Sequence, residues 1–533
     1  MAIPQSLAYA QLAGLPPYYG LYAALIPTVI GALFGSSAQL STGPVALTSL
    51  LTAASIVPLA AAGGEQYLGY AIALALLSGL FQIGFGVMRL GVLMNLLSHS
   101  VLMGFVNAAA ILIALSQVPA LLGVPSSRSG HALLDIWQVM THAAQAHGYS
   151  VAFGATAIAA LLAFRRFAPS LPGVLITVTL LTAASYLLDF AGSGGSIVGE
   201  IPQGLPSFAL PGIAFDAWID LMPAAFVIAV ISFMEAMSSA KIAAVKTGAK
   251  WDENQELIGQ GLAKLAAAFC QTMPVSGSFS RSALNLSAGA RSGVSSIICA
   301  LCVLLTLLFL TPLLRYLPLP VLAAIIVMAL ASLINLRSLR NAWLASRDDA
   351  LAAALTFATT IAFAPQIQVG IFTGILVSLA LFIYGRMRPR LEVAEPAAAR
   401  AAGEAPGVPE NLRGAIGMIR FDASLVFVNA SYFEDAVLQL ERRHPRLPFV
   451  LVCASSINEI DASGVEMLAS LSESLRKNGT VLAFSGVKPQ VRRVLDRTGL
   501  AERIGAEYFF VDDNAAYSGI SSILSGAHQR RGP

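Results

Sequence analysis

The residues best suited to chemistry lie at 274–285, Pro-Val-Ser-Gly-Ser-Phe-Ser-Arg-Ser-Ala-Leu-Asn. Arg281 follows Gly277 and three serines, and the stretch lies between two long apolar runs. A Gly/Ser segment feeding a helical pattern reads as an unwound loop that ends at a helix N-terminus. Such an end presents free N–H groups and the positive pole of the helix dipole, which together make an anion site. A guanidinium there adds a full positive charge. An ionisable group at membrane depth is costly and by default marks a functional site. The plain alternative is that Arg281 snorkels to an interface or caps a loop.

A second break of the same kind runs from Gly35 to Thr48, Gly-Ser-Ser-Ala-Gln-Leu-Ser-Thr-Gly-Pro-Val-Ala-Leu-Thr. Pro44 suits the first position of a helix, where no N–H is needed. Two such helix ends facing each other would set two positive poles around one anion. In the first apolar segment Gln5 and Tyr9 are four residues apart and share a helix face. A buried amide and phenol need partners, which are either structural or a substrate. Glu235 is the acid well inside the run 219–240, with Ser238 one turn further on. Its carboxylate can hold a proton, bind sodium or pair with Arg281, and it can also simply pair with Lys241 at the helix end. Lys264 is read as a snorkelling side chain.

The elements that must position these residues follow from composition. The chain has 533 residues, 56% hydrophobic and 11% charged, where a soluble domain carries roughly 25% charge. Mean hydropathy is +0.73. Charges are sparse to about residue 385 and ordinary beyond it, so a polytopic membrane domain precedes a soluble one. A net charge of +3 gives no argument for nucleic acid. Met1-Ala-Ile-Pro-Gln-Ser lacks the basic start of a signal peptide. The first apolar segment is too short to span a bilayer, so the first helix reads as truncated. Cys299 and Cys302 form a C-x2-C without a second ligand pair and read as core residues. No metal site or disulfide framework is expected.

Apolar runs fall near 1–13, 16–34, 44–62, 66–88, 100–122, 150–164, 172–190, 219–240, 257–273, 281–290, 293–311, 319–335, 350–364 and 367–384. Each Gly/Ser break precedes the third of seven runs. Seven is odd, so the halves run in opposite directions: an inverted repeat, whose interrupted helices point to the substrate site. With the N-terminus inside, most Lys and Arg residues fall at cytoplasmic ends, among them Arg89, Arg165, Lys241, Lys246, Arg291, Arg337 and Arg386. The membrane domain is taken as 1–390 and the Ala/Pro/Glu-rich stretch 391–410 as a linker. From 411 to 525 strands and helices alternate, at 415–421, 424–428, 432–442, 449–453, 464–477, 481–484, 489–498 and 508–511, with a last helix ending near 524. That pattern is an α/β domain with its sheet covered by helices. Residues 526–533 read as a tail.

The segments PQSLAYAQLAGLPPYYGLY (4–22), FGSS (34–37) and TGPVA (42–46) resemble the signature of the SulP sulfate-permease family of anion transporters. MPVSGSFSRSALN (273–285) resembles its second hallmark, and the C-terminal segment resembles a STAS domain. The resemblance implies a 7+7 inverted repeat with core and gate domains, a homodimer, and a cytoplasmic STAS domain that can bind a protein partner. It also implies an anion site lined by Gln5 and Tyr9, by Gly43, Val45 and Ala46 at one helix end, and by Ser278, Phe279, Ser280 and Arg281 at the other. Glu235, with Ser238, would serve ion coupling. Lys264 departs from the pattern, in which an uncharged polar residue is expected. Ser463, just before Gly464, matches a serine that is phosphorylated in anti-sigma-factor antagonists. Asp461 and Ser463 also stand where a helix is capped.

The expected function is therefore secondary transport of a small anion (sulfate, bicarbonate or a C4-dicarboxylate) across the inner, plasma membrane, coupled to H⁺ or Na⁺, with both termini cytoplasmic. An uncoupled exchanger or channel of the same fold is the alternative. No cofactor is expected, and no P-loop, metal-ligand spacing or nucleophile–base set suggests an enzyme.

Overall fold

Runs of apolar residues long enough to cross a bilayer must satisfy their backbone internally, and a helix does so within one segment. All fourteen apolar runs fall on helices in the computed structural model, which describes residues 1–60, 64–91, 98–124, 141, 145–168, 171–202, 204–209, 215–331, 334–364, 366–394, 412 and 414–529. Most of the linker and the end of the tail lie outside the described residues.

The first seven runs form α1 (Ala2–Leu12), α2 with α3 (Tyr18–Ala23, Ile26–Phe34), α4 (Ala46–Ile56), α5 (Glu65–Val87), α6 with α7 (His99–Ser116, Val118–Leu122), α8 (Gly148–Phe167) and α9 (Gly173–Leu187). The second seven form α10 (Phe215–Thr247), α11 (Glu253–Phe269), α12 (Phe279–Ser287), α13 with α14 (Val294–Leu305, Thr311–Leu314), α15 (Leu319–Ala331), α16 with α17 (Leu336–Ala345, Arg347–Ala362) and α18 (Gln368–Met387). Six described helices are long and apolar enough to cross a membrane on their own.

Packing partners occur in exchanged pairs. Helix α5 packs on α11 and α3 packs on α13; α6 packs on α17 and α15 packs on α8; α1 packs on α4 and α10 packs on α12. Each partner pair turns into the next when first-half and second-half positions are swapped, as an inverted repeat requires.

Helices α4 and α12 are short, at 11 and 9 residues. They span about half of a ~30 Å hydrocarbon core. Each is preceded by a two-residue strand, β1 (Thr42–Gly43) and β2 (Ser276–Gly277). The strands pair antiparallel, Thr42 with Gly277 and Gly43 with Ser276. This pairing satisfies non-helical backbone at membrane depth and brings the two half-helix N-termini together.

The chain divides into two compact units, Met1–Ser378 and Leu379–Pro533. The second carries a five-stranded sheet in the order β3 (Leu391–Ala394), β4 (Ile416–Phe421), β5 (Phe449–Cys453), β6 (Val481–Ser485), β7 (Phe509–Phe510). Strands β4 to β7 are parallel and β3 is antiparallel to β4. Alternate residues of β5 face opposite layers. Val450 and Val452 join a core with α19 (Ala430–Arg443), α20 (Ala462–Lys477), α21 (Pro489–Arg497) and α22 (Leu500–Ile504). Phe449 and Leu451 meet Tyr517 and Ile520 of α23 (Asp513–Gln529). Burial on both faces explains why these strands read as unbroken apolar runs.

Two local expectations fail. The start of the expected linker, Leu391–Ala394, is an edge strand, because Val393 and its neighbours find backbone partners on β4. The expected strand at 424–428 makes a single bridge, Leu425 with Ile460, because Asn429 and Asp461 take over its neighbouring backbone groups. Cys453 is buried beside Asp513, and burial pushes its thiol up from the ordinary cysteine range. It is a packing residue.

Asp461 alone caps α20. One carboxylate oxygen accepts from Gly464 N at 2.8 Å and the other from Phe427 N at 2.8 Å. Ser463 supplies no cap and is exposed. Asp461→Ala should cost about 1–2 kcal/mol, measured as a lower midpoint of the second unit's unfolding transition in urea. An unchanged midpoint would show that the cap contributes nothing.

Candidate functional site

The site is built from the two half-helix ends. Helix α4 begins at Ala46 with Val45 as N-cap and no side-chain cap. Pro44 therefore stands two residues before the first helical position rather than at it, and its carbonyl accepts from Arg281 Nη1 at 3.0 Å. The N–H groups of Ala46, Leu47 and Thr48 are buried and have no hydrogen-bond partner among the described residues. A buried helix end without partners is energetically anomalous unless a ligand completes it.

Helix α12 begins at Phe279, so Arg281 lies in its first turn. Ser278 is the N-cap, and its hydroxyl accepts from Arg281 N at 3.4 Å. The Ser278 amide is spent on Ser41 O at 2.9 Å, so the free donors of this end are Phe279 N and Ser280 N. The pairing of the two breaks thus consumes the Ser278 amide.

Arg281 is 6% exposed and does not reach an interface. Nη1 holds Pro44 O, Nε donates to Ser41 Oγ at 3.3 Å, and Nη2 is buried with no partner. A Cβ added at Gly43 would stand 2.9 Å from Nη2. Glycine at 43 thus leaves the guanidinium room in front of α4. A guanidinium bonded through two nitrogens with a third left free is held in place and still able to donate.

Gln5 Oε1, Thr48 Oγ1 and Glu235 Oε2 are among the other buried polar atoms that have no hydrogen-bond partner among the described residues. Gln5 and Tyr9 are each 5% exposed on α1, which packs on α4. Tyr9 and Glu235 lie within electrostatic reach of Arg281. Among the described residues Glu235 and Arg281 form no ion pair within 4.0 Å, with each other or with Lys241. Native structures rarely leave several buried polar atoms unpaired in one place, and such groups call for a ligand, ion or water.

Ser238 is half-buried. Its neighbour Ser239 instead lines a cavity of about 480 Å³ between α10 and α12, with Lys246, Phe279, Ser282 and Ser287. The cavity runs alongside the turn that carries Arg281.

Lys264 overturns the snorkelling expectation. It is fully buried, and Nζ donates to Gln82 Oε1 and Ser232 Oγ at 2.8 Å each. Its stem packs against Gly79, where a Cβ would come within 3.0 Å of Lys264 Cβ. With α5 and α10 both packed around α11, no path to an interface is left for the side chain.

Sequence reading missed the residues that hold the two ends in place. Ser282 Oγ accepts from Ser41 N at 2.9 Å, Gln260 Nε2 donates to Thr42 Oγ1 at 2.8 Å, and Thr28 Oγ1 donates to Thr42 O at 2.8 Å. Glu256 accepts from Ser36 N and Ser37 N, both at 2.9 Å, which anchors the first break to α11. Polar residues in apolar runs are the signal that could have found them.

The chain is similar to known proteins along nearly its whole length. The family model described as "Sulfate permease family" matches residues 1–356, and the STAS domain model matches residues 410–513. "Sulfate transporter 4.1, chloroplastic" of Arabidopsis thaliana is 33% identical, covering 96% of this chain and 77% of its own length. "Probable sulfate transporter MT1781" of Mycobacterium tuberculosis is 32% identical, covering 96% of this chain and 91% of its own. The solved structure of SLC26A9 superposes with a TM-score of 0.86 at 22% identity, over 99% of this chain and 89% of that one, which shows the shared fold. With its paired half-helices, its inverted packing and its C-terminal α/β unit, this chain belongs to the sulfate permease family and carries a STAS domain.

Proposed function

We propose that the chain is a secondary active transporter of a small anion, working by alternating access, that takes up a proton or a sodium ion with its substrate. One observation carries this reading. Among the described residues the N–H groups of Ala46, Leu47 and Thr48 lack partners, and Arg281 Nη2, also unpartnered there, is held at the same junction. Two dipole ends and one guanidinium favour an anion and supply donors for it. Gln5 and Tyr9 line the site from α1, Gly43, Val45 and Ala46 from the first break, and Phe279, Ser280 and the Ser278 hydroxyl from the second. Sulfate is the first candidate, since the relatives bear that name. Bicarbonate and C4-dicarboxylates have the same requirements.

Glu235 takes the coupling cation in this reading. Anion entry against a negative-inside potential costs about 2.3 kcal/mol per charge per 100 mV, so uphill uptake needs a cation. An uncoupled exchanger or channel would have no use for a carboxylate with an unpartnered buried oxygen. The cavity between α10 and α12, with Lys246 on its wall, is the route to the cytoplasm. In this reading both termini and the STAS domain lie on that side of the inner, plasma membrane, which the placement of Lys and Arg supports. The carrier works as a homodimer, and exposed Ser463 is its candidate phosphorylation site for partner control.

The test is a thermal-shift panel on the purified carrier with sulfate, bicarbonate, succinate and chloride, followed by counterflow in proteoliposomes. One of the first three should raise the melting temperature and exchange across the bilayer. No protection and no counterflow with any of them would overturn the reading.

A further inference from the structure

Helix α16 (Leu336–Ala345) joins two apolar membrane runs, and the anion site makes no use of it. Its 10 residues rise about 15 Å, half of a ~30 Å hydrocarbon core, so it cannot span. Helices α15 and α17 on either side carry the apolar runs 319–335 and 350–364, which places α16 where the chain leaves the bilayer and enters it again. Both of its ends are tied to α6. Just before the helix, Asn335 N donates to Asn107 Oδ1 at 2.7 Å and Asn107 Nδ2 to Asn335 O at 3.4 Å. Just after it, Ser98 Oγ donates to Asp349 Oδ1 at 3.4 Å. The helix also packs on α6 and α17. It is a fixed element of the membrane domain.

Its sequence, Leu-Arg-Ser-Leu-Arg-Asn-Ala-Trp-Leu-Ala, has two arginines and no acid. Arg337, Arg340 and Leu344 stand at i, i+3 and i+7, on one face, and Trp343 lies three residues past Arg340. All four are exposed, Trp343 by 63% and Leu344 by 73%. Neither arginine makes an ion pair among the described residues. The nearest acids in the chain, Asp348 and Asp349, belong to α17, and Asp349 is engaged by Ser98. An indole and a leucine side by side on a surface are unfavourable in water. Acyl chains alone would leave two guanidinium groups without polar partners. The boundary between headgroups and acyl chains suits both, because rings and aliphatic stems enter its apolar edge while cationic heads stay among the phosphates.

We infer that α16 is a binding element for anionic phospholipid. Arg337 and Arg340 donate to the headgroup phosphate, which a guanidinium can hold through two parallel N–H···O bonds. Trp343 and Leu344 bury themselves against the acyl chains below it. The preference is for the net negative charge of the lipid, so a zwitterionic lipid is held less well. Each basic residue near an anionic surface contributes a factor of about five, and the effect falls off within a Debye length of ~8 Å at physiological salt. Through Asn107 and Ser98, a hold on α16 is also a hold on α6.

The experiment places the full chain in liposomes of phosphatidylcholine and phosphatidylglycerol, with bromine on the acyl chains of one lipid or the other as a short-range quencher of tryptophan fluorescence. The Trp343 signal is the difference between wild type and Trp343→Phe. Brominated phosphatidylglycerol should quench it well beyond that lipid's share of the bilayer, and brominated phosphatidylcholine should quench it less. Arg337→Gln combined with Arg340→Gln should remove most of this preference, a loss of roughly twentyfold. Equal quenching by both lipids overturns the inference, since α16 is then a plain interfacial helix. Quenching by neither also overturns it, since water, a second copy of this chain or another protein then covers the face. So does a preference that survives in the folded double variant. Should that variant fail to fold, wild type in rising salt decides: a preference for phosphatidylglycerol that falls upholds the inference, and one that stays overturns it.

Discussion

Arg281→Ala should abolish measurable anion binding while leaving the carrier folded. The guanidinium is held by Pro44 O and Ser41 Oγ, and its Nη2 has no partner among the described residues. A bound anion would accept from that nitrogen in a low-dielectric site, where a charge-assisted hydrogen bond is worth about 1.5–3 kcal/mol. Losing that bond together with the charge amounts to roughly a hundredfold or more in affinity. The fold should survive, because the β1–β2 pairing, the Ser41 N to Ser282 Oγ bond and the Gln260 to Thr42 bond do not involve the arginine. Thermal shift with sulfate and size-exclusion chromatography measure both halves of the prediction. Arg281→Lys sharpens it. A lysine keeps the charge but cannot hold two protein oxygens and donate to a third group in one plane. It should retain weak binding. Wild-type affinity in the alanine variant would remove Arg281 from the site.

Glu235→Gln should separate binding from coupling. Glutamine has the shape of a protonated glutamate and never ionises. The variant is thus fixed in the state that, on the reading above, accompanies the anion. Sulfate should still bind and exchange, but accumulation against a gradient should be lost, and the dependence of uptake on external pH should flatten. Uptake would then follow the membrane potential, which opposes each negative charge by about 2.3 kcal/mol per 100 mV. The measurement is uptake with and without an inward proton gradient, beside counterflow at several pH values. A variant that still accumulates sulfate under the proton gradient would show that the coupling group lies elsewhere.

The two predictions fail differently. Loss of counterflow in Glu235→Gln alone would make the glutamate part of the anion site. Intact counterflow in Arg281→Ala would move the anion away from α12.

Much of this architecture is legible in the amino-acid sequence. The apolar runs and the two Gly/Ser breaks follow from local rules: hydrocarbon demands helices, and glycine and serine interrupt them. The odd number of runs per half dictates the inversion that the exchanged packing pairs display. Arg281 and Glu235 stand out because ionisable groups are costly at membrane depth. Alternation in the C-terminal segment gave its sheet, except at Leu391–Ala394, whose composition resembles a linker and whose pairing with β4 depends on a partner more than twenty residues away in the chain.

Only the tertiary structure decided how the site is wired. Lys264 looked like a side chain with a long enough stem to reach water, and the packing of α5 and α10 around α11 closed that path. The Ser278 amide looked available, and the strand pairing consumed it. Ser463 looked like a cap, and Asp461 holds that position. In each case the group has two chemically reasonable partners, one local and one distant. Composition and spacing name the group and the cost of leaving it unpaired; which partner it takes depends on distances that exist only once the distant helices have packed. The stretch at 274–285 shows both sides of this. Its residue types announce a positive helix end, and its pairing with 42–43 across the fold leaves Phe279 N, Ser280 N and Arg281 Nη2 without partners among the described residues.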